Sequence, residues 1–204
     1  MKTWLRCVRW SLLAVLSLLV TSATDVLAQT VPRAKTEFTI KRIEFRLVNA
    51  PAAGGGERGA REAAQIPWAR FECEFDSQPD WTDDVQVKWY VVLTGRTKVM
   101  ATGDDTYIYV KKGRRHVARM YMHPFVMERW TGTTAQNAIE DVGVEIWHAG
   151  RLVVFSSARS QTKTQWWQQF TPQPGLLMRV SESPWATSDY AEQEWSKYTT
   201  SKSQ

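Results

Sequence analysis

The run from Val85 to Leu93 (VQVKWYVVL) places Val85, Val87, Trp89, Val91 and Leu93 at every second position. A period of two puts all five on one face of an extended strand, and a strand with one apolar face needs a second layer to cover it. The alternation recurs in Phe71-Glu72-Cys73-Glu74-Phe75 within a strand over 68–76. It recurs again from Val142 to Trp147, which turns at His148-Ala149-Gly150 into a strand from Arg151 to Ser157. Further strands are expected at Thr36–Val48, at Tyr107–Lys112 and at His116–Met122, with a short edge piece at Lys98–Ala101. The pair around Gly113 predicts a hairpin with a basic tip. Within Thr36–Val48 the apolar phase slips by one between Ile40 and Ile43, as a bulge or a change of face would require. Trp166–Phe170 and Leu176–Ser181 add strand or irregular packing. Helical spacing is confined to Ala135–Asp141 and to Ser188–Tyr198, where Ser188 can cap. Many short strands with helices only at the margins predict an all-β sandwich.

Cys73 and Trp89 sharpen that expectation. A cysteine on the second strand and a tryptophan on the third pack at the centre of immunoglobulin domains. The late-strand partner cysteine is absent, and Val144 or Ile146 would fill its region with apolar packing. The expected fold is therefore an immunoglobulin-like β-sandwich with a short C-terminal helix. Two neighbouring inward positions could also produce the Cys73 and Trp89 pattern by coincidence, on the same sandwich.

The first 28 residues follow a different plan. Lys2, Arg6 and Arg9 precede the apolar run Leu12–Val20, and Val26-Leu27-Ala28 offers small residues for cleavage before Gln29. That order describes a secretory signal peptide; the alternative is retention as an N-terminal anchor. The run is shorter than the ~20 apolar residues a membrane-crossing helix needs, so no transmembrane span is expected after processing. The expected organisation is a signal peptide at 1–28, a flexible segment at 29–35, the sandwich at 36–183 and an aromatic helical arm at 184–204. A mobile Ala/Gly-rich loop is expected at 49–65.

Cleavage changes the inventory. Formal charge falls from +5 to +3, since 26 − 3 = 23 basic and 21 − 1 = 20 acidic residues remain. That mild balance argues against nucleic acid as a partner. Cys7 leaves with the signal, so Cys73 stands alone and is expected buried and inert, the alternative being a pairing with another chain. Of eleven tryptophans, nine remain after Trp4 and Trp10 are removed.

No catalytic or metal-binding set is expected. His116, His123 and His148 are scattered, His123 ending a strand and His148 in a turn, and no HExxH or G-x-S-x-G pattern is present. Asp80, Asp83, Asp84, Asp104 and Asp105 read as loop residues with ordinary turn chemistry and lack calcium-loop spacing. No cofactor is expected. The candidate partner-binding residues are aromatic or basic. Trp147 has the opposite phase to Val144 and Ile146, and Trp166 and Trp167 cannot both face one side of a strand. Trp185 and Trp195 enrich the C-terminal arm. Lys111, Lys112, Arg114 and Arg115 concentrate positive charge. For each, ordinary packing or a solvated turn is the competing role.

Taken with the segments Phe71–Phe75, Val87-Lys88-Trp89-Tyr90-Val91 and Val144–Val153, this plan resembles the pilus-associated secreted proteins of verrucomicrobial bacteria. The resemblance covers the sandwich and excludes the loop at 49–65 and the extreme C-terminus. It implies a small extracytoplasmic protein with an immunoglobulin-like fold, encoded near type IV pilus assembly genes, and brings no catalytic residues. The expected function is non-enzymatic binding or assembly in the bacterial cell envelope, periplasmic or at the cell surface, with a pilus or secretion component as protein partner. The alternative is a carbohydrate-binding module whose exposed tryptophans stack on a glycan.

Overall fold

A computed structural model describes residues 36–51, 66–159 and 164–186, all within one compact unit, Lys35–Gln204. The expected signal peptide, the segment at 29–35, most of the 49–65 loop, and Trp195 with the rest of the arm from 187 onward lie outside the described residues. The strands are β1 (Phe38–Asn49), β2 (Pro67–Thr82), β3 (Val85–Thr94), β4 (Lys98–Tyr107), β5 (Val110–Met122), β6 (Ile139–His148), β7 (Arg151–Ser157), β8 (Pro172–Pro174) and β9 (Met178–Arg179). They form two sheets, ordered β1-β2-β5-β9 and β7-β6-β3-β4-β8. The first, second and fifth strands oppose the seventh, sixth, third and fourth, which is the immunoglobulin-like arrangement.

Alternation decides which residues fill the space between the sheets. Val85, Val87, Trp89, Val91 and Leu93 are fully buried, as are Phe71, Cys73 and Phe75 from the facing sheet and Val144 and Ile146 from β6. Val144 lies directly opposite Trp89 across the β3–β6 ladder. Cys73 is a free, buried thiol. Burial, and secondarily the neighbouring Glu74 charge, push its ionisation up. The phase slip in β1 is a register shift between Ile40 and Arg42 against β2.

Several local expectations are corrected. The basic segment is no hairpin tip: β5 runs unbroken through Lys111–Arg115, paired to the far end of β2. Arg115, at φ 66°, absorbs the bend that Gly113 suggested as a turn. The chain instead changes sheets at Ile108–Tyr109. Lys98–Ala101 is only the first part of β4, and Asp104 and Asp105 sit in that strand and not in a loop. Ala135–Asp141 holds only a 3-10 turn, Gln136–Ala138, before β6 begins at Ile139, because the inward-facing Ile139 and Val142 belong to the sheet. A helix, α1 (Pro124–Thr131), forms elsewhere. His123 caps it, Pro124 occupies its first turn, and Gly132 ends it at φ 75°. No helix of the described residues is long and apolar enough to cross a membrane.

Residues 164–186 strap the sandwich. Trp167 lies on the outer face of the five-stranded sheet, against Val92 and Met100. β8 then pairs parallel to β4, Leu177 enters the central core, and β9 pairs antiparallel to β5. Trp185 ends on the opposite outer face, stacked on Tyr121 at 4.4 Å and edge-on to Trp68 at 5.7 Å. One segment thereby buries an aromatic anchor on both sheets and closes the edge between them.

Candidate functional site

Outward positions of the five-stranded sheet converge on Glu145. Its neighbours in β6, Val144 and Ile146, point into the core, so Glu145 points out, yet it is only 3% exposed because the strap covers it. One carboxylate oxygen accepts from Gln165 Nε2 at 2.7 Å and Trp167 Nε1 at 2.8 Å. The other accepts from Trp147 Nε1 at 2.8 Å and Tyr90 Oη at 3.0 Å. Four donors fill the acceptor capacity of one carboxylate, and hydrogen bonds to a charged group contribute about 1.5–3 kcal/mol each. Burial, then the Glu145 charge and its hydrogen bond, push the Tyr90 phenol up, so it stays protonated as a donor. Glu145 therefore has no lone pair left for a proton transfer or a metal; it holds rings in place.

Those rings form a rigid floor. Trp167 stacks on Tyr90 at 5.1 Å, 12° from parallel, and meets Phe155 and Trp166 edge-on. Gly143 makes this possible, because a Cβ there would stand 2.4 Å from the Trp167 ring. Beside the floor lies a cleft of about 480 Å³ whose lining includes Trp147, Leu152, Gln168 and Phe170. A second cleft of about 520 Å³ shares Tyr90 and Pro172 with it and carries Lys88, Asp104, Arg179 and Glu182. An apolar compartment and a charged one thus adjoin on one face.

The candidate partner-binding residues separate accordingly into three groups. Trp147 and Trp166 are half-buried beside the apolar cleft. Trp167 and Trp185 are buried at 3% and 6%, so their rings serve the strap and are not open contacts. The glycan platform loses its geometry: Trp166 and Trp167 stand 83° apart, and the Lys88 ammonium covers the Trp147 ring at 4.0 Å. Lys111, Lys112, Arg114 and Arg115 are exposed at the far end of β5. Reasoning from sequence missed Trp81 there. It is 65% exposed, opposite Lys111 in the ladder, with that ammonium 5.9 Å from its ring centroid. Its signal was a tryptophan in an otherwise polar stretch, Pro79-Asp80-Trp81-Thr82-Asp83-Asp84.

The other outer face, away from the Trp68–Tyr121–Trp185 cluster, carries a charged network around Glu72. Glu72 accepts from Arg119 Nε at 2.8 Å and lies 3.0 Å from Arg46 and 3.4 Å from Arg70. Among the described residues no group of three or more His, Cys, Asp or Glu side chains is placed to hold a metal ion.

Comparison with known proteins places this architecture. No curated protein matches the sequence. A crystal structure of a protein from Akkermansia muciniphila, a verrucomicrobial bacterium, superposes with a TM-score of 0.68 at 17% identity, over 80% of this chain and 94% of that one. That likeness is one of fold, and it agrees with the verrucomicrobial side of the resemblance drawn from sequence. A protein-family model matches residues 29–197, and the chain belongs to the family that this model describes.

Proposed function

We propose that the protein is a non-enzymatic binding or assembly component of the bacterial cell envelope, exported through its N-terminal segment and serving a type IV pilus or secretion apparatus. The observation that carries this reading is the pre-built aromatic face around Glu145. Trp147, half-buried at the apolar cleft and locked by its bond to Glu145, loses little freedom when a partner docks, which is how rigid aromatic anchors contribute to affinity. The adjoining clefts suit a protein segment with one apolar side chain and flanking charges. The family match begins at Gln29, directly after the expected cleavage point at Ala28, in keeping with export.

The test is a photo-reactive residue at Gln168, which is exposed and lines the apolar cleft, with a control at the exposed Arg46 on the opposite sheet. In intact envelopes, capture of a pilus or secretion subunit from position 168, lost in Trp147→Ala and absent from position 46, is the expected result. Capture from both positions alike, or none from position 168, overturns the reading.

A further inference from the structure

We propose that one end of the sandwich docks on an anionic lipid surface, Trp81 and Tyr109 entering the headgroup layer while Lys111, Lys112, Arg114 and Arg115 meet its phosphates. This surface is separate from the aromatic face around Glu145. Val85 pairs with both Tyr107 and His148, so the turns joining β2 to β3, β4 to β5 and β6 to β7 gather at one end. Beyond Ser77, β2 has no β1 partner and continues as a ribbon with the first residues of β5.

Two independent features single out this end. The first is exposed apolar surface beside positive charge: Trp81 is 65% and Tyr109 60% exposed, and the Lys111 ammonium lies 5.9 Å from the Trp81 ring, whereas Phe125, 62% exposed, stands apart on α1. The second is backbone strain. Among the described residues, the non-glycine ones with positive φ are Asp84 at 58°, Tyr109 at 59°, Arg115 at 66° and Ala149 at 50°, and they lie towards this end. Aspartate tolerates that region, and Ala149 precedes Gly150 in the β6–β7 turn. At Tyr109 and Arg115 the backbone N–H is held by Asp83 at 2.7 Å and by Asp76 at 3.2 Å, bonds that a glycine would make equally well. Glycine would relieve both, and an exposed ring returns little packing for the strain, so the side chains are kept for something outside the fold.

The chemistry of the pair points to lipid. Tryptophan and tyrosine settle at membrane–water interfaces, and lysine and arginine beside them bind anionic headgroups. A protein hot spot instead sits in a desolvated pocket, and neither ring lines the two clefts described above. Local acids are partly engaged: Asp80 pairs with Lys112 at 3.3 Å, Asp76 with Lys41 at 3.2 Å, and Asp83 accepts the Tyr109 N–H at 2.7 Å. Asp84 also has a partner. Glu37, at the same end, is held by His148 and Arg151.

The test is cosedimentation of the chain from Gln29 to Gln204 with phosphatidylcholine vesicles, with or without phosphatidylglycerol. That polypeptide contains the whole compact unit and omits the apolar run Leu12–Val20, which would enter lipid by itself. Binding is expected only with phosphatidylglycerol and is expected to weaken with salt. Each exposed cation near such a surface contributes about fivefold in partitioning, so the double variant K111Q/R114Q should bind about twenty-five-fold more weakly. Trp81→Ser should lower binding without changing the salt dependence. Tyr109→Gly should lower binding while the melting temperature holds or rises, whereas a merely structural tyrosine would lower the melting temperature. Binding indifferent to phosphatidylglycerol, variants that bind like the parent, or binding to poly-glutamate but not to vesicles would each overturn the proposal, the last in favour of an acidic protein.

Discussion

Gly143 and Trp167 can be tested as one unit. The strap reaches the outer face of the five-stranded sheet only because the Trp167 ring occupies the space a Cβ at position 143 would take, 2.4 Å from the nearest ring carbon. Trp167 is 3% exposed. At about 25 cal/mol per Å² over the roughly 150–250 Å² a tryptophan buries, its burial is worth about 4–6 kcal/mol as an upper estimate. Trp167→Ala should therefore cost about 3–5 kcal/mol, the usual range for a buried tryptophan. Gly143→Ala should cost about 1–3 kcal/mol, because the ring must shift off Tyr90 and lengthen its bond to Glu145. In the Trp167→Ala background the obstruction is gone, and Gly143→Ala should become neutral or stabilising by up to about 1 kcal/mol, since alanine loses less backbone freedom than glycine in a strand. The coupling in this cycle is then about 1–4 kcal/mol, far above the few tenths expected of independent sites. Urea unfolding of the four proteins, followed by far-UV circular dichroism, measures it. Equal cost of Gly143→Ala in both backgrounds would refute the idea that the strap is seated through this slot.

Two further predictions concern titration and reactivity. The Glu37 carboxyl is held below its ordinary range first by the hydrogen bond with His148 and then, against some desolvation, by Arg151. A depressed folded-state pKa stabilises above the unfolded value, near 4.5, and that stabilisation is lost as pH falls through the folded value. Glu37→Gln should thus be less stable than the parent at neutral pH by an amount that disappears under acid; thermal melts across that range check it, and a gap that persists at the acid end contradicts the assignment. The Cys73 thiol, buried and pushed up, should resist a disulfide reagent in the native protein and react at once in denaturant. Rapid labelling without unfolding would show that the β2 core opens locally.

Side-chain phase is the most legible property of this sequence. It identifies the inward row of β3, the slip in β1 and the outward aim of Trp147, because each depends on residues one or two positions away. β5 reads as a hairpin because Gly113 among basic residues has turn composition, while the feature that keeps the strand continuous is a positive φ at Arg115. Composition gives no sign of that. α1 escapes notice because eight residues show little periodicity, although Pro124 and Gly132 mark its ends. The candidate site divides in the same way. Trp147 can be placed from its strand neighbours. The burial of Trp167 depends on a glycine 24 positions earlier and on Glu145, and nothing local announces either. Trp81 is hidden in the sequence because neighbouring aspartates make its stretch look like an ordinary loop.

The tryptophans show why residue count alone misleads about function. Trp89 fills the space between the sheets, and Trp167 and Trp185 pin the strap to opposite outer faces. Exposed sheet faces would otherwise be sites for unwanted association. Covering them with residues 164–186 leaves fewer surfaces for recognition. One is the half-open rim at Trp147, which Glu145 holds through the indole N–H, with Trp166 edge-on to Trp167 beside it. The other is the end carrying Trp81, where a tyrosine and an arginine keep backbone angles that each cost about 1–2 kcal/mol in an L-residue. A fold that commits tryptophans to its own strap, yet keeps Trp81 65% exposed in a strained corner, gains no core from that ring. Packing explains the first group; the second is the group that the proposed lipid contact would use.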